Sequence, residues 1–378
     1  MTVSENGSKN QTQKYPENGE KQLENQKNQQ TPPQKRKREK DWRTKINFEK
    51  IYFFLNVIVI GLIPFFINNM IQFRHYCDEK NYNYLQLSFL AYSLIAGAAI
   101  WTCRHLLLEI FYHKLYPVIP NSSTHEDRDL KTRKVIKWSC DILYYTSATV
   151  YGFYYFKDMA WFPLDFKENY YNTGVMDDFP SVQQNELFPY IQFYIIVQFG
   201  HHVYALIELI FVRRHIEPKF QEWLLHHTLA FTLLFYSNFN NFLVPGVMVL
   251  LVHDISDITT ALFKLYGIFR SDYLLYVNTA NMMISWFYTR LYAFPLRVIM
   301  PFIDYYRQLY IESEQDLPKQ LTYYSYIYML GLVFLLQLLH IYWFLIMITM
   351  LKQHLKRHKK YKDKVVFQND FDFKDKKE

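Results

Sequence analysis

The sequence predicts an all-α protein that crosses a membrane about eight times. Half of its 378 residues are hydrophobic and 19% are aromatic, with 33 Tyr and 32 Phe. A helix needs roughly 20 apolar residues to cross about 30 Å of hydrocarbon, and most of the apolar segments in this chain are long enough. These segments lie near residues 51–71, 85–111, 139–156, 189–212, 223–242, 243–266, 273–300 and 321–350. The prediction is therefore a polytopic helical membrane protein.

Basic residues lie beside the apolar segments and predict how the spans are oriented. The formal net charge of the chain is +7. Lys and Arg are enriched in cytosolic connections, so a cytosolic amino terminus followed by eight spans puts each basic connection on the cytosolic side. The basic connections are Lys114 to Lys137, Arg213 to Lys219, Lys264 to Arg270 and the tail after Lys352. Both termini are predicted to be cytosolic, and no nucleic-acid partner is expected.

Composition divides the chain into four predicted regions. Residues 1–45 form a polar cytosolic tail, expected to be disordered because it has too few apolar residues to fold. Residues 46–130 hold two spans and a cytosolic loop, residues 131–355 hold six spans, and residues 356–378 form a basic cytosolic tail. Lysines at the third and fifth positions from the end resemble a dilysine retrieval signal, which predicts the endoplasmic reticulum membrane.

One apolar stretch carries an unusual set of polar residues. It contains adjacent histidines, then three asparagines, then a His-Asp pair with a second Asp: His226, His227, Asn238, Asn240, Asn241, His253, Asp254 and Asp257. Placing an ionisable group inside the hydrocarbon costs about 2.5 to 3.5 kcal/mol on insertion scales, so such residues are functional candidates. The polar end of the segment 223–242 would be costly against lipid, which predicts that this helix lines a cavity.

The spacing of these residues predicts a site with imidazole and carboxylate side chains. Asp254 and Asp257 are three residues apart and share one helical face, and His253 can share part of it. Two adjacent antiparallel helices can bring a histidine of the doublet to the same depth as Asp257, in the cytosolic half of the membrane. An imidazole held neutral beside a carboxylate can act as a general base or as a nucleophile.

Two other interpretations of the same residues remain open. Buried histidines and acids also serve as hydrogen-bonding contacts between helices. His and Asp can ligate zinc or iron, but the chain has none of the HxxxH or HxxHH boxes typical of membrane desaturases and hydroxylases, so no metal is expected. A second doublet, His201-His202, lies in the middle of the fourth segment, where packing or cavity lining is the predicted role.

These motifs resemble those of a known family. The pattern comprises His226-His227, Ser237, Asn241, Gly246 and His253-Asp254-Ile255-Ser256-Asp257, followed by Lys264, Arg290, Pro295, His340 and Trp343. It resembles the ceramide synthases, with their TLC domain and Lag motif, and the resemblance covers about residues 131–355. It implies that this region is the TLC catalytic domain, with its six helices forming a barrel around a central cavity.

The resemblance also implies an activity, its substrates and its site residues. The reaction would be transfer of a fatty acyl group from acyl-CoA, a substrate and not a cofactor, to the amine of a sphingoid base, forming ceramide or dihydroceramide. The implied catalytic residues are His226, His227, Asp254 and Asp257. The implied substrate-binding residues are Ser237, Asn241, His253, Arg290, His340 and Trp343. Membrane lipids are expected partners, and the sequence is compatible with homo- or hetero-oligomers.

Two chemical routes and one different class of protein remain as hypotheses. In the first route His226 attacks the thioester and forms an acyl-imidazole, with Asp257 polarising the ring. In the second, a histidine only removes the proton of the attacking amine. The alternative class is a TLC protein that binds lipid or assists translocation without catalysis, which the HH and HDxSD motifs disfavour. The segment 213–220 matches the family only loosely, which weakens inference about acyl-CoA docking.

Overall fold

The computed structural model describes most of the chain between residues 48 and 360. The described residues are 48–82, 84–120, 124–164, 186–215, 217, 219–269, 272–313 and 317–360. The predicted tail 1–45 lies outside them, and so does most of the predicted tail 356–378. The predictions of a disordered amino terminus and a carboxyl-terminal retrieval signal therefore concern residues outside the described ranges.

Every regular element in the described residues is helical, as the sequence predicts. The helices are α1 (Phe48–Glu79), α2 (Ser88–Leu115), α3 (His125–Phe156), α4 (Phe188–Phe211), α5 (Phe220–Phe239), α6 (Leu243–Phe269), α7 (Asp272–Trp286), α8 (Met300–Ser313) and α9 (Leu317–Lys360). A π-helical stretch, Phe287–Ile299, joins α7 to α8. Each of the eight predicted apolar segments lies within one of these helical units or overlaps it.

Five helices among the described residues are long and apolar enough to cross a membrane. They are Phe48–Glu79, Ser88–Leu115, Phe188–Val212, Leu243–Phe269 and Tyr326–Gln353. The helices outside this set carry more polar residues: α3 begins with a charged run, and α5 contains two histidines and a glutamate. The chain is therefore a multi-pass membrane protein.

Helices α2 and α4 approach each other closely at a pair of glycines. A Cβ atom added at Gly97 would lie 2.5 Å from the carbonyl oxygen of Gly200, and one added at Gly200 would lie 2.8 Å from the backbone nitrogen of Gly97. Small residues at such contacts let helix backbones pack against each other within a membrane. This contact fixes α4, which contributes several residues to the site described below.

A tight turn makes α5 and α6 antiparallel. Helix α5 ends at Phe239, and Asn241 has a φ of 58°, a left-handed conformation that asparagine tolerates better than most residues. Across the turn, the Ser237 hydroxyl donates to the carbonyl of Phe242 at 2.5 Å. A Cβ atom added at Gly246 would lie 2.4 Å from the Ser237 hydroxyl oxygen, so a side chain there would displace that hydroxyl. Ser237 and Gly246 consequently mark the turn end of the hairpin.

Helix α9 lies along both helices of this hairpin. Four ring pairs join them, with centroid distances of 5.5 Å for Tyr326 and Phe242, 5.0 Å for Tyr328 and Tyr236, 4.8 Å for His340 and His253, and 5.1 Å for Trp343 and His226. Residue numbers along α9 rise as they rise along α6 and fall along α5. Helix α9 is therefore parallel to α6 and antiparallel to α5. The ring pairs also show which residues of the three helices lie at the same depth.

Candidate active site

A cavity lies among these helices and has two chemically different ends. Its polar end is lined by Tyr145, His202, His226, His253, Asp254 and Asp257. Its apolar end is lined by aliphatic and aromatic residues that include Leu233, Val249, Met329, Val333, Leu336 and Phe302. The polar end lies at the level of Trp343 and His340, and the apolar end lies toward the α5–α6 turn.

His226 lines the polar end, whereas its neighbour His227 does not. Consecutive helical residues point about 100° apart, so only one member of the doublet reaches a given cavity. The ring of His226 lies 5.1 Å from that of Trp343 and 6.4 Å from that of Trp223. Trp343 is itself held by its indole N–H, which donates to the Glu222 carboxylate at 2.5 Å. The imidazole of His226 is therefore fixed by aromatic packing.

Asp254 is held by two side chains of α4. The hydroxyl of Tyr194 donates to the Asp254 carboxylate at 2.7 Å, and the Nε2 amide of Gln198 donates to the same oxygen at 2.6 Å. The hydroxyl of Tyr144, on α3, donates to the Gln198 carbonyl oxygen at 2.8 Å. Asp254 is only 2% exposed, and these donors replace the water that a carboxylate otherwise requires.

Asp257 forms an ion pair with Arg290 from the π-helical stretch. The guanidinium of Arg290 also donates from Nε to the Ser256 hydroxyl at 2.6 Å and lies over the Trp286 ring at 4.1 Å from its centroid. Arg290 is only 2% exposed, so its charge depends on Asp257 for compensation. Ser256 thus has a direct role in holding the arginine that pairs with the next residue.

These partners correct one expectation from the sequence. His226 and Asp257 do line the same end of the cavity, but no carboxylate in the described residues is hydrogen-bonded to His226. Asp257 is paired with Arg290, and Asp254 is bonded to Tyr194 and Gln198. Helical spacing located the acids on the correct face but carried no information about partners contributed by distant helices. The polarisation of His226 by Asp257 is therefore not part of this geometry.

His253 and His340 form a hydrogen-bonded pair, with their Nε2 atoms 3.0 Å apart. The Nδ1 atom of His253 lies 2.5 Å from the carbonyl oxygen of Val249, which can only accept, so Nδ1 carries the proton. In the neutral pair, Nε2 of His253 then accepts and Nε2 of His340 donates. His340 is fully buried and does not line the cavity; its imidazole reaches the cavity lining through His253.

The remaining predicted binding residues occupy different places. Ser237 lines the apolar end, eleven residues from His226, which is roughly 16 Å along a helix. Asn241 is buried in the α5–α6 turn and does not line the cavity. Arg290 and Trp343 reach the polar end indirectly, through Asp257 and His226. Of the ten predicted site residues, His226, Ser237, His253, Asp254 and Asp257 line the cavity themselves.

Several residues of the polar end were not singled out as site residues from the sequence. Gln198 and His202 are four apart in a mostly apolar span, a spacing that places both on one face of α4. His202 lines the cavity, in keeping with the predicted role of that doublet, and His201 stacks on Tyr144 with centroids 4.0 Å apart. Tyr145 had no distinguishing signal among 33 tyrosines. In the part of the chain that the structure describes, no group of three His, Cys, Asp or Glu is placed to hold a metal.

The region of the chain that forms this cavity matches a known protein family. Residues 134–349 match the family described as the TLC domain. The chain is 27% identical to human ceramide synthase 4 over 247 residues, which is 63% of this chain and 55% of the relative. It is 28% identical to ceramide synthase LOH2 of Arabidopsis thaliana over 174 residues, which is 45% of this chain and 55% of the relative.

A further relative is matched over most of its length. ASC1-like protein 3 of Oryza sativa subsp. japonica is 24% identical over 270 residues, covering 71% of this chain and 90% of the relative. The matches to the human and Arabidopsis proteins span only about half of those relatives. The TLC match contains all the residues that line the cavity. The chain therefore belongs to the TLC-domain family, as a multi-pass membrane protein similar to ceramide synthases.

Proposed function

We propose that this protein is an acyl-CoA-dependent N-acyltransferase that joins a fatty acyl group to the amine of a sphingoid base. The observation that carries the proposal is the continuity of the cavity: the imidazole of His226 and an apolar chamber line one and the same cavity. An acyl thioester has the same division, with a reactive carbonyl at one end and an alkyl chain at the other. The match to ceramide synthases supports the same substrates.

The reaction proceeds on His226 in two balanced steps. A ring nitrogen of His226 forms a bond to the acyl carbon while the carbon–sulfur bond breaks, and coenzyme A leaves as a thiolate. The amine of the sphingoid base then forms the amide bond while the acyl–imidazole bond breaks. The proton lost by the amine ends on the thiolate, so the products are the N-acyl base and free coenzyme A. The direct route differs in that His226 only accepts the amine proton.

The two carboxylates orient the amine at the polar end. Asp257 has 30% of its side chain exposed toward the cavity even though it pairs with Arg290, so it retains capacity to accept a hydrogen bond from an amine. Asp254 also lines the cavity, with its position set by Tyr194 and Gln198. In this proposal His227 supports the packing of His226 and does not contact substrate.

The proposal includes a membrane arrangement. Eight spans, six of them in a TLC catalytic domain of residues 131–355 that forms a barrel around the cavity, leave both termini in the cytosol of an endoplasmic reticulum membrane. The polar end of the cavity then faces the cytosol, where acyl-CoA is found. Lys264 lies at this end, its ammonium 5.7 Å from the centroid of the Trp223 ring, and contributes positive charge for an anionic substrate. Assembly into homo- or hetero-oligomers is compatible with this arrangement.

The test is N-acylation by the purified protein in lipid nanodiscs. Given acyl-CoA and a sphingoid base, the wild type is expected to produce the N-acyl base, and His226→Ala is expected to produce none above background. Acyl-CoA supplied without amine separates the two routes: a stoichiometric burst of free coenzyme A supports the acyl-imidazole, and its absence supports direct transfer. Unchanged product formation by His226→Ala would remove the proposed site.

A second candidate is a TLC protein that binds lipid or assists translocation without catalysis. The apolar chamber is the observation that favours this candidate, because an apolar cavity can hold an alkyl chain without any reaction at its polar end. The same experiment decides between them, because a lipid-binding protein would retain the acyl chain without forming any amide.

A further inference from the structure

The apolar end of the cavity is lined by side chains that pack tightly against neighbouring helices. Phe302 and Met329 line this end, and both are almost fully buried. We propose that these two residues form a floor that limits the length of the acyl chain, and that Val333 forms the wall one helical turn above it. The inference rests on the proposed function, because it concerns the chain that the acyltransferase would hold.

Contacts beneath the floor hold Phe302 in place. The Tyr326 hydroxyl donates to the backbone carbonyl of Phe302 at 2.7 Å, and the two rings lie 5.4 Å apart. On its other side Tyr326 packs against Phe242, with ring centroids 5.5 Å apart. Phe242 is tied through its carbonyl to Ser237, which also lines the cavity. A chain reaching this level meets packed aromatic rings held by hydrogen bonds, which yield less readily than mobile aliphatic side chains.

The register of α9 orders the lining residues from the polar end to the floor. Leu336, Val333 and Met329 line the cavity at spacings of three and four residues, so they lie on one face of the helix. His340 lies one turn beyond Leu336, at the level of His253. Four residues correspond to roughly 6 Å along a helix, so Met329 and Val333 differ in depth by several methylene groups. A bulky side chain at Val333 would raise the floor by about one turn.

Neighbouring positions on α9 supply a matched control. Leu338 lies on the same helix but is 63% exposed on the apolar outer surface, and it does not line the cavity. A substitution there adds the same bulk to the same helix without entering the chamber. Comparison of Val333→Phe with Leu338→Phe therefore separates a change in cavity length from a general effect of a larger side chain on α9.

The experiment measures kcat/KM for a series of saturated acyl-CoA lengths with one sphingoid base, using the wild type, Val333→Phe, Met329→Ala and Leu338→Phe. One methylene group too many in an apolar pocket typically changes the rate by about tenfold or more. We expect Val333→Phe to lower the ratio of the longest to the shortest accepted chain at least tenfold. Met329→Ala should raise that ratio, and Leu338→Phe should leave it unchanged.

The ratio is taken within each variant, so a loss of folded protein does not alter it. If the wild type forms amide but the ratio of kcat/KM for long and short chains is unchanged in both cavity variants, the inference is overturned and the proposed function stands. A uniform fall at every length in both variants would also overturn it. Absence of amide from the wild type at every chain length would overturn the proposed function, and the length rule with it.

Discussion

The two ends of the cavity are built in different ways. At the polar end each acid or buried histidine pair depends on directed bonds between helices distant in sequence, such as Asp254 with Tyr194 or Asp257 with Arg290. At the apolar end the lining residues that define the chamber, such as Val333 and Met329, make contacts that depend only on shape and volume. The polar end therefore requires particular atoms in particular places, whereas the apolar end requires only a certain amount of space.

This difference explains what each end can do. A buried charge pair is weak evidence of stability, because desolvation opposes the attraction between the charges. The four-part arrangement of Asp254, Tyr194, Gln198 and Tyr144 is thus better understood as a device that fixes geometry. At the apolar end, exchange of one apolar side chain for another changes the depth of the cavity without removing a directed bond, which suits selection among chains of different length. In this interpretation the reaction takes place at the polar end of the cavity, and the length of the acyl chain is selected at the apolar end.

The largest expected effect separates the two histidines of the doublet. His226→Ala should lower the rate of amide formation at least about 1000-fold, because it removes the group that attacks the thioester or accepts the amine proton. His227→Ala should have a much smaller effect, because His227 does not line the cavity. Initial rates with purified proteins check both. Equal losses in the two variants would contradict the placement of only one histidine of the doublet in the cavity.

Removal of one partner of the Asp257–Arg290 ion pair should lower stability strongly. Removal of one partner of a buried pair typically costs about 3 to 5 kcal/mol, because it leaves the other charge uncompensated. Arg290→Met should therefore lower the thermal unfolding temperature strongly. The double variant Arg290→Met with Asp257→Asn should recover much of that loss without recovering activity. A single variant as stable as the wild type would show that Asp257 finds another partner.

Loss of one donor to Asp254 should have a smaller effect. Tyr194→Phe removes a hydrogen bond to a carboxylate, and such bonds contribute about 1.5 to 3 kcal/mol. The control is Tyr154→Phe, because Tyr154 is 74% exposed on the outer surface. Thermal unfolding in nanodiscs compares the two variants. We expect a measurable decrease only for Tyr194→Phe; equal behaviour of both would mean that the polar end tolerates the loss of a directed bond.

The smallest expected effect lies away from both ends. Gly200→Ala brings a methyl group against the backbone of α2, and overpacking of this kind typically costs about 1 to 3 kcal/mol. Gly331→Ala is the matched control, because nothing lies within 4 Å of a Cβ added there. Unfolding temperatures should fall for Gly200→Ala alone. Its preference for acyl length should match that of the wild type, and a changed preference would link the α2–α4 contact to the cavity.

Much of the fold and the location of the site could be predicted from the sequence. The apolar segments predicted an all-α membrane protein, and ionisable residues such as His226 and Asp257 marked one wall of the cavity. The prediction that α5 lines a cavity was confirmed. The α5 residues that line it are not the asparagines on which the prediction was based. Ala230, Leu233 and Ser237 line the cavity with His226, whereas Asn238 and Asn240 are buried without lining it.

The partners of the acids could not be predicted, for a physical reason. Helical periodicity relates residues within a few turns, whereas Arg290 lies 33 positions beyond Asp257 and Tyr194 lies 60 positions before Asp254. Such pairs depend on how helices pack, and helix packing in membranes depends on small-residue contacts such as Gly97 with Gly200. The sequence therefore could not show that Asp257 forms its ion pair with Arg290.

The most direct test of the account locates the acyl chain itself. The purified protein would be incubated with an acyl-CoA that carries a photoreactive group at the end of its alkyl chain, irradiated, and analysed by mass spectrometry of its peptides. Labelling is expected at the apolar end of the cavity, on Phe302, Met329 or Val333. Labelling confined to the outer surface, for example on Leu338 or Ile341, would contradict the claim that one cavity holds the chain and presents its thioester to His226.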